Sequence, residues 1–150
     1  KSQSIFDLTQ LSKWWLDTIE LGWEKLDSLV SQPQFAGQFA WRDRAISFPS
    51  TARAKVLKLD TGEQVILSLE LRQIDRSELE IWVRVYPFPP DVYLPENLKL
   101  AVLDDLSIEV IQAEARTTET IQVKFIVEPG EKFGVRVDLN QVSMIESFLV

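Results

Sequence analysis

The spacing of apolar residues changes once along the chain, and the change divides it into two parts. From about residue 9 to residue 30, apolar side chains recur every three or four positions, the period of an amphipathic helix. From about residue 52 to the C-terminus they alternate with polar residues, the period of half-buried strands. The pattern predicts one N-terminal amphipathic α-helix followed by an antiparallel β domain.

The predicted helix covers about residues 9–31. Thr9 or Ser12 suits the N-cap, because a hydroxyl oxygen accepts a hydrogen bond from the free amides of a first turn. Pro33 ends the helix, since proline disfavours helical geometry in the residue before it. One broad face is apolar and consists of Trp15, Leu16, Ile19, Trp23, Leu26, Leu29 and Val30. We expect this face to pack on the β domain.

Trp14 and Leu21 lie on the opposite, polar side of the predicted helix, nearly in line with each other. Two interpretations are open for them. They are scattered surface residues, which are common on folded proteins, or they form a second contact surface. Such a surface would meet a missing N-terminal region of this chain, a second copy, or another protein.

The β domain is predicted over residues 52–150 and joins the helix through a connector at about residues 32–51. Seven or eight short strands, separated by turn signals roughly every ten residues, are typical of an antiparallel β-sandwich. The clearest hairpin joins Gln64–Ile74 to Leu79–Tyr86. We therefore predict a single mainly β domain over residues 1–150, with the helix packed on the sandwich.

The outward side of this hairpin carries Ile66, Trp82 and Tyr86. A solitary domain rarely exposes such a cluster, so we expect the helix to pack across it. Trp82→Ala would then cost about 3–5 kcal/mol, the usual loss for a buried aromatic side chain. A loss under about 1 kcal/mol would identify an exposed binding surface instead. The candidate interaction surface is accordingly Trp14, Leu21, Trp82 and Tyr86.

Composition removes several classes of function. The chain has no cysteine and no histidine, so disulfides, thiolate metal sites and the usual general base are excluded. The net charge of -7 makes nucleic acid and anionic membranes poor partners. No apolar run approaches the roughly 18 residues of a membrane span. A cysteine-free chain fits a reducing compartment.

Two alternative binding chemistries remain. Carboxylates in predicted turns favour a calcium-dependent module, although no calcium-loop spacing occurs; they are Asp91, Asp104, Asp105, Glu128 and Glu131. Exposed rings of Trp41, Trp82 or Tyr86 would suit stacking on a sugar. No phosphate-binding loop or catalytic constellation is present, so we predict no enzymatic activity and no cofactor.

Several short segments together resemble one protein family. They are Leu11–Trp14, Gly22-Trp23, Tyr93–Leu100, Glu128–Phe133 and Glu146–Phe148. They resemble the C-terminal half of an uncharacterised protein family found chiefly in cyanobacteria. The resemblance implies a longer cytoplasmic protein with an additional N-terminal region, and the start at Lys1 supports a fragment. It implies no activity and no functional residue.

The sequence as a whole predicts a non-enzymatic protein-interaction or scaffold module. A protein is the expected partner. The first alternative is a β-sandwich that binds a small ligand or a carbohydrate, and the second is a calcium-dependent module. A sugar site would bring aromatic and polar groups together in a concave site, whereas calcium would raise the melting temperature of a calcium-dependent module.

Overall fold

The structure is a computed structural model that describes residues 9–16, 23–25, 50–59, 62–89, 91–116 and 120–150. These residues form ten strands and one 3₁₀ helix. In chain order they are β1 Thr9–Gln10, the 3₁₀ helix Leu11–Leu16, β2 Glu24–Lys25, β3 Ser50–Lys58, β4 Gln64–Gln73, β5 Leu79–Pro87, β6 Lys99–Leu103, β7 Glu109–Glu114, β8 Ile121–Val127, β9 Lys132–Leu139 and β10 Val142–Leu149. Eight of them, β3 to β10, occupy the region predicted to be the β domain.

The N-terminal segment differs from the single helix predicted over residues 9–31. Thr9–Gln10 pairs with β10, Leu11–Leu16 forms the 3₁₀ helix, and Glu24–Lys25 pairs with β3. The prediction of one continuous amphipathic helix is therefore wrong, and positions 17–22 and 26–31 lie outside the described residues.

The reason for this difference is visible at two tryptophans. Residues nine positions apart point to opposite sides of an α-helix at about 100° per residue. The ring centroids of Trp14 and Trp23 are nevertheless 5.3 Å apart, and Trp23 also contacts the ring of Phe148 at 5.7 Å. Strand pairing and burial of both indole rings in one core replace the regular helix that the spacing favours.

The strands form two five-stranded sheets. Sheet I has the order β1-β10-β9-β6-β7, and sheet II has the order β2-β3-β4-β5-β8. Every described pair is antiparallel except β1 with β10. The predicted mainly β, antiparallel architecture is confirmed.

One hydrophobic core joins the two sheets. On the side of sheet II, the core consists of alternate residues of β4 and β5, and Leu67 of β4 is paired with Val85 of β5. Residues of β9 such as Val135 and Val137 supply sheet I's side. The rings of Phe125 in β8 and Phe133 in β9 meet across the sheets, with centroids 5.1 Å apart. This shared core is consistent with the predicted sandwich.

The two sheets differ on the faces turned away from this core. The outer face of sheet II carries the even-numbered residues of β4 and β5, and Ile66, Ser68, Glu70 and Tyr86 are all buried there. The outer face of sheet I carries Arg136, Asp138, Ser143 and Ile145, which are exposed or half-buried. The helix predicted to cover Ile66 and Tyr86 does not form as such, and the described residues Trp14 and Trp23 pack in the core instead.

Candidate interaction surface

The hairpin of β6 and β7 displays three large apolar side chains to solvent. Leu106 at its tip is 73% exposed, Ile108 is 56% exposed and Val110 is 58% exposed. The hairpin lies at the side of the molecule, because β7 is the edge strand of sheet I. Among the described residues it gives the densest run of exposed apolar side chains along the sequence.

Local hydrogen bonds hold the tip in one shape. The Oδ1 atom of Asp104 accepts hydrogen bonds from the backbone amides of Leu106 and Ile108, both at 2.9 Å. The Asp104 amide donates to the carbonyl of Ile108, and the Ser107 amide donates to the carbonyl of Asp104. An aspartate side chain satisfies the backbone two residues on in this way wherever a turn begins. Leu106 is therefore presented on an ordered turn.

A bulge fixes the direction of Val110. Val102 of β6 pairs with Ile111, and Leu103 pairs with Glu109, so Val110 is the extra residue of β7. Bulges bend an edge strand and interrupt its pairing pattern, which discourages a further strand from adding there. The geometry suits docking through side chains better than extension of the sheet.

The surroundings of the apolar tip are acidic. Asp104 and Asp105 lie in the turn, and Glu109 follows at the start of β7. Glu109 is paired with Arg136, which also donates from Nε to Asp138 at 2.7 Å. The hydrogen bond to Asp138 raises the pKa of the Arg136 guanidinium above its ordinary value; desolvation opposes this effect, and the hydrogen bond to Glu109 adds to it. Asp105 thus remains as a solvated negative charge beside Leu106.

The residues predicted from sequence occupy other places. Trp14 is buried in the core, where the side chain of Arg53 donates a 2.9 Å hydrogen bond to its carbonyl oxygen. Tyr86 is buried on the outer face of sheet II, and Trp82 is half-buried on the same face. Leu21 lies outside the described residues. The burial of Trp14 corrects the expectation that it lies on the exposed, polar side of a helix. Tyr86 is buried, as expected for a covered cluster, although the helix predicted to cover it does not form as such.

Trp82 is surrounded by charged side chains of sheet II. Arg84 and Lys124 lie 4.7 Å and 5.0 Å from its ring centroid, and its indole N–H donates to Glu80 at 2.8 Å. Such cation–π contacts stabilise a partly desolvated ring. The ring is therefore engaged within the fold, and the cost of about 3–5 kcal/mol for Trp82→Ala stays a prediction.

The turn carboxylates also have structural tasks. Asp104 holds the β6–β7 turn, and Glu131 accepts a 2.8 Å hydrogen bond from the amide of Glu128. Within the described ranges, no three acidic, histidine or cysteine side chains are grouped closely enough to hold a metal ion. None of the helical segments in the same ranges has the length and apolar character needed to cross a membrane.

Sequence reasoning missed the β6–β7 hairpin as a surface. It identified Asp104 and Asp105 only as carboxylates in a predicted turn and as possible calcium ligands. The signal present in the sequence is a leucine within an acidic turn, followed closely by Ile108 and Val110. The bulge at Val110 interrupts the alternation of β7, so the spacing of these residues does not by itself predict that both are exposed.

The comparisons with known proteins define the family. No curated protein and no solved structure matches the chain. The model of a family described as a protein of unknown function (DUF1822) matches residues 3–149. This agrees with the resemblance to an uncharacterised family drawn from the short segments above. The chain therefore belongs to the DUF1822 family.

Proposed function

We propose that this chain is a non-enzymatic protein-interaction module and that the β6–β7 hairpin is its docking element. The observation that supports the proposal is Leu106, a large apolar side chain 73% exposed on a turn that Asp104 holds in place. Binding through an ordered turn loses little conformational entropy. A single apolar anchor that enters a partner's pocket commonly carries much of the binding free energy.

The chemistry around Leu106 favours a partner with an apolar pocket bordered by lysine and arginine. Asp105 supplies negative charge next to the apolar side chains, and the chain carries a net charge of -7. Opposite charges at the rim of an interface raise the association rate and favour the correct partner. A second copy of the same acidic chain would be repelled. Nucleic acid and anionic membranes are disfavoured for the same reason, and a cytoplasmic location fits the cysteine-free sequence.

The experiment has two stages. Crosslinking and capture from a native extract supply candidate partners, and the affinity of each purified candidate is then measured by calorimetry. Leu106→Ser should weaken binding of the true partner about tenfold or more, since it removes the apolar anchor. The matched control is Ile145→Ser, because Ile145 is 54% exposed in the same sheet but away from the hairpin. Both variants should unfold at the wild-type denaturant concentration.

A second variant tests the charge argument. Asp105→Asn should lower the association rate and flatten its dependence on salt, because rim charges act mainly on the encounter. Asp104 is left intact since it holds the turn. Equal affinities for Leu106→Ser and wild type would overturn the proposal. Concentration-dependent dimerisation that Leu106→Ser abolishes would replace the basic partner with a second copy.

A further inference from the structure

A polar cleft of about 530 Å³ lies on the outer face of sheet I. Its floor is one row of cross-strand partners, contributed in turn by β10, β9, β6 and β7: Ser143, Asp138, Lys99 and Glu114. Asn97, Arg136 and Asn140 complete the lining. We propose that this cleft binds a neutral polyhydroxylated molecule of the mono- or disaccharide class, independently of the β6–β7 hairpin.

The first argument is the two asparagines at the ends of β6 and β9. Their φ angles are 71° for Asn97 and 57° for Asn140, in the left-handed region that asparagine tolerates. Neither side-chain amide makes a hydrogen bond with another part of the described chain. Each amide offers two donor hydrogens and one acceptor oxygen, a set that suits adjacent hydroxyl groups.

The second argument is the fixed carboxylate of Asp138. The Ser143 hydroxyl donates to its Oδ1 atom, and Arg136 Nε donates to its Oδ2 atom at 2.7 Å. These two bonds orient the carboxylate before any ligand arrives, yet a carboxylate has about four lone-pair positions. The remaining positions can accept hydrogen bonds from a hydroxylated ligand. Such preorganisation lowers the entropic cost of binding.

The third argument is the balance of charge. The cleft contains two cations, Lys99 and Arg136, and two carboxylates, Glu114 and Asp138. Arg136 is already paired with Asp138 and Glu109, so it contributes no free positive charge for a phosphate. The ammonium group of Lys99 and the two amides remain as donors. Balanced charge with many hydrogen-bonding groups favours a neutral ligand over an anion or a metal ion.

The size and openness of the cleft set the expected affinity. Its volume is within the roughly 300–1,000 Å³ typical of ligand pockets, but its lining is polar whereas most such pockets are apolar. No aromatic ring lines it, so stacking on a sugar face is absent from this part of the described chain. Hydrogen bonds formed in competition with water give a dissociation constant of about 1 mM.

The test is a titration of the isotope-labelled protein, followed by NMR, with a panel of neutral mono- and disaccharides that includes glucose, galactose and sucrose. Saturable shifts should appear at the amides of Asn97, Lys99, Asn140 and Ser143. The decisive variant is the double substitution Asn97→Gly with Asn140→Gly. Glycine adopts positive φ without strain, so this variant removes both side-chain amides and keeps the backbone. It should weaken binding about tenfold or more.

The matched control is Ser107→Gly, because Ser107 also has a positive φ, of 63°, and lies in the β6–β7 turn outside the cleft. It should leave saccharide binding unchanged. Inorganic phosphate serves as the anionic probe and should produce no saturable shift at the cleft. The proposal is overturned if no saccharide of the panel gives saturable shifts, if the double variant binds as well as the control, or if phosphate binds more tightly than the sugars.

Discussion

The outer faces of the two sheets have similar kinds of side chains but opposite environments. Both carry an isoleucine and an arginine–carboxylate pair, Ile66 with Glu70–Arg84 on sheet II and Ile145 with Asp138–Arg136 on sheet I. On sheet II these groups are buried, whereas on sheet I Ile145 is 54% exposed and the ion pair lines an open cleft. Residue type alone therefore does not tell which face is available for binding. The free surfaces proposed above both belong to sheet I.

The largest expected difference is between the two isoleucines. Ile66→Ala should reduce the free energy of unfolding by about 2–5 kcal/mol, because it removes buried methyl groups and leaves a cavity. Ile145→Ala should change it by less than about 0.5 kcal/mol, as expected for an exposed position. Urea denaturation of both variants measures the two values. Equal losses of unfolding free energy would mean that the outer faces of the two sheets are equally covered, which would contradict the difference described above.

The two carboxylates give the next largest difference. Glu70→Gln removes the negative charge of a buried carboxylate that lies 3.1 Å from the Arg84 guanidinium, and should cost about 1–3 kcal/mol. Asp138→Asn keeps the shape of the partly exposed pair on sheet I and should cost less than about 1 kcal/mol. The same denaturation experiment compares them. A larger loss for Asp138→Asn would contradict the assignment of sheet I's outer face as the open one.

The smallest effect is a pair of pKa shifts at the exposed end of sheet II, in the turn between β4 and β5. The backbone hydrogen bond from Ser77 lowers the pKa of Asp75 below 3.8, against an opposing effect of desolvation. The negative charge of Asp75 raises the pKa of Glu78 above 4.5. An NMR titration should therefore find the pKa of Asp75 below its ordinary value and the pKa of Glu78 above its ordinary value. Asp75→Asn should return the pKa of Glu78 toward 4.5, and an unchanged value would exclude the charge of Asp75 as the cause.

The two shifts have opposite consequences for stability. The lowered pKa of Asp75 stabilises the fold above its unfolded-state pKa, and this contribution is lost as the pH falls through the folded-state value. The raised pKa of Glu78 stabilises the fold at low pH, and that contribution is lost as the pH rises through its folded-state value. The two contributions oppose each other in the acid range. Stability should accordingly show little net pH dependence from this turn.

Strand positions were predictable because alternation is a local property. The eight strands from β3 to β10 match the seven or eight predicted for the β domain, and the predicted hairpin of β4 and β5 has Leu67 opposite Val85 as the alternation requires. The N-terminal segment was not predictable, because Trp14 packs against Trp23, and Trp23 packs against Phe148, which is far away in sequence. The spacing of the apolar residues predicts that they are buried, but it does not determine the backbone conformation in which they are buried.

The candidate surfaces show the same limit. The sequence drew attention to Trp14, Trp82 and Tyr86 because large aromatic side chains on a polar side suggest a contact. The structure buries two of them and surrounds Trp82 with Arg84 and Lys124. The sequence did not identify Leu106 as a candidate interaction residue, since a single leucine in an acidic turn is common. Its exposure becomes meaningful only with the hydrogen bonds that hold the turn.

The sequence by itself determined the mainly β character of the region from β3 to β10, the faces of β4 and β5 that enter the core, and the acidic character of the chain, because these depend on neighbouring residues and on composition. Only the tertiary structure decided which outer face is covered. It also aligned Ser143, Asp138, Lys99 and Glu114 in one row, since cross-strand register joins residues that are distant in the chain. A binding surface depends on that register and on burial, and neither is a property of a local segment.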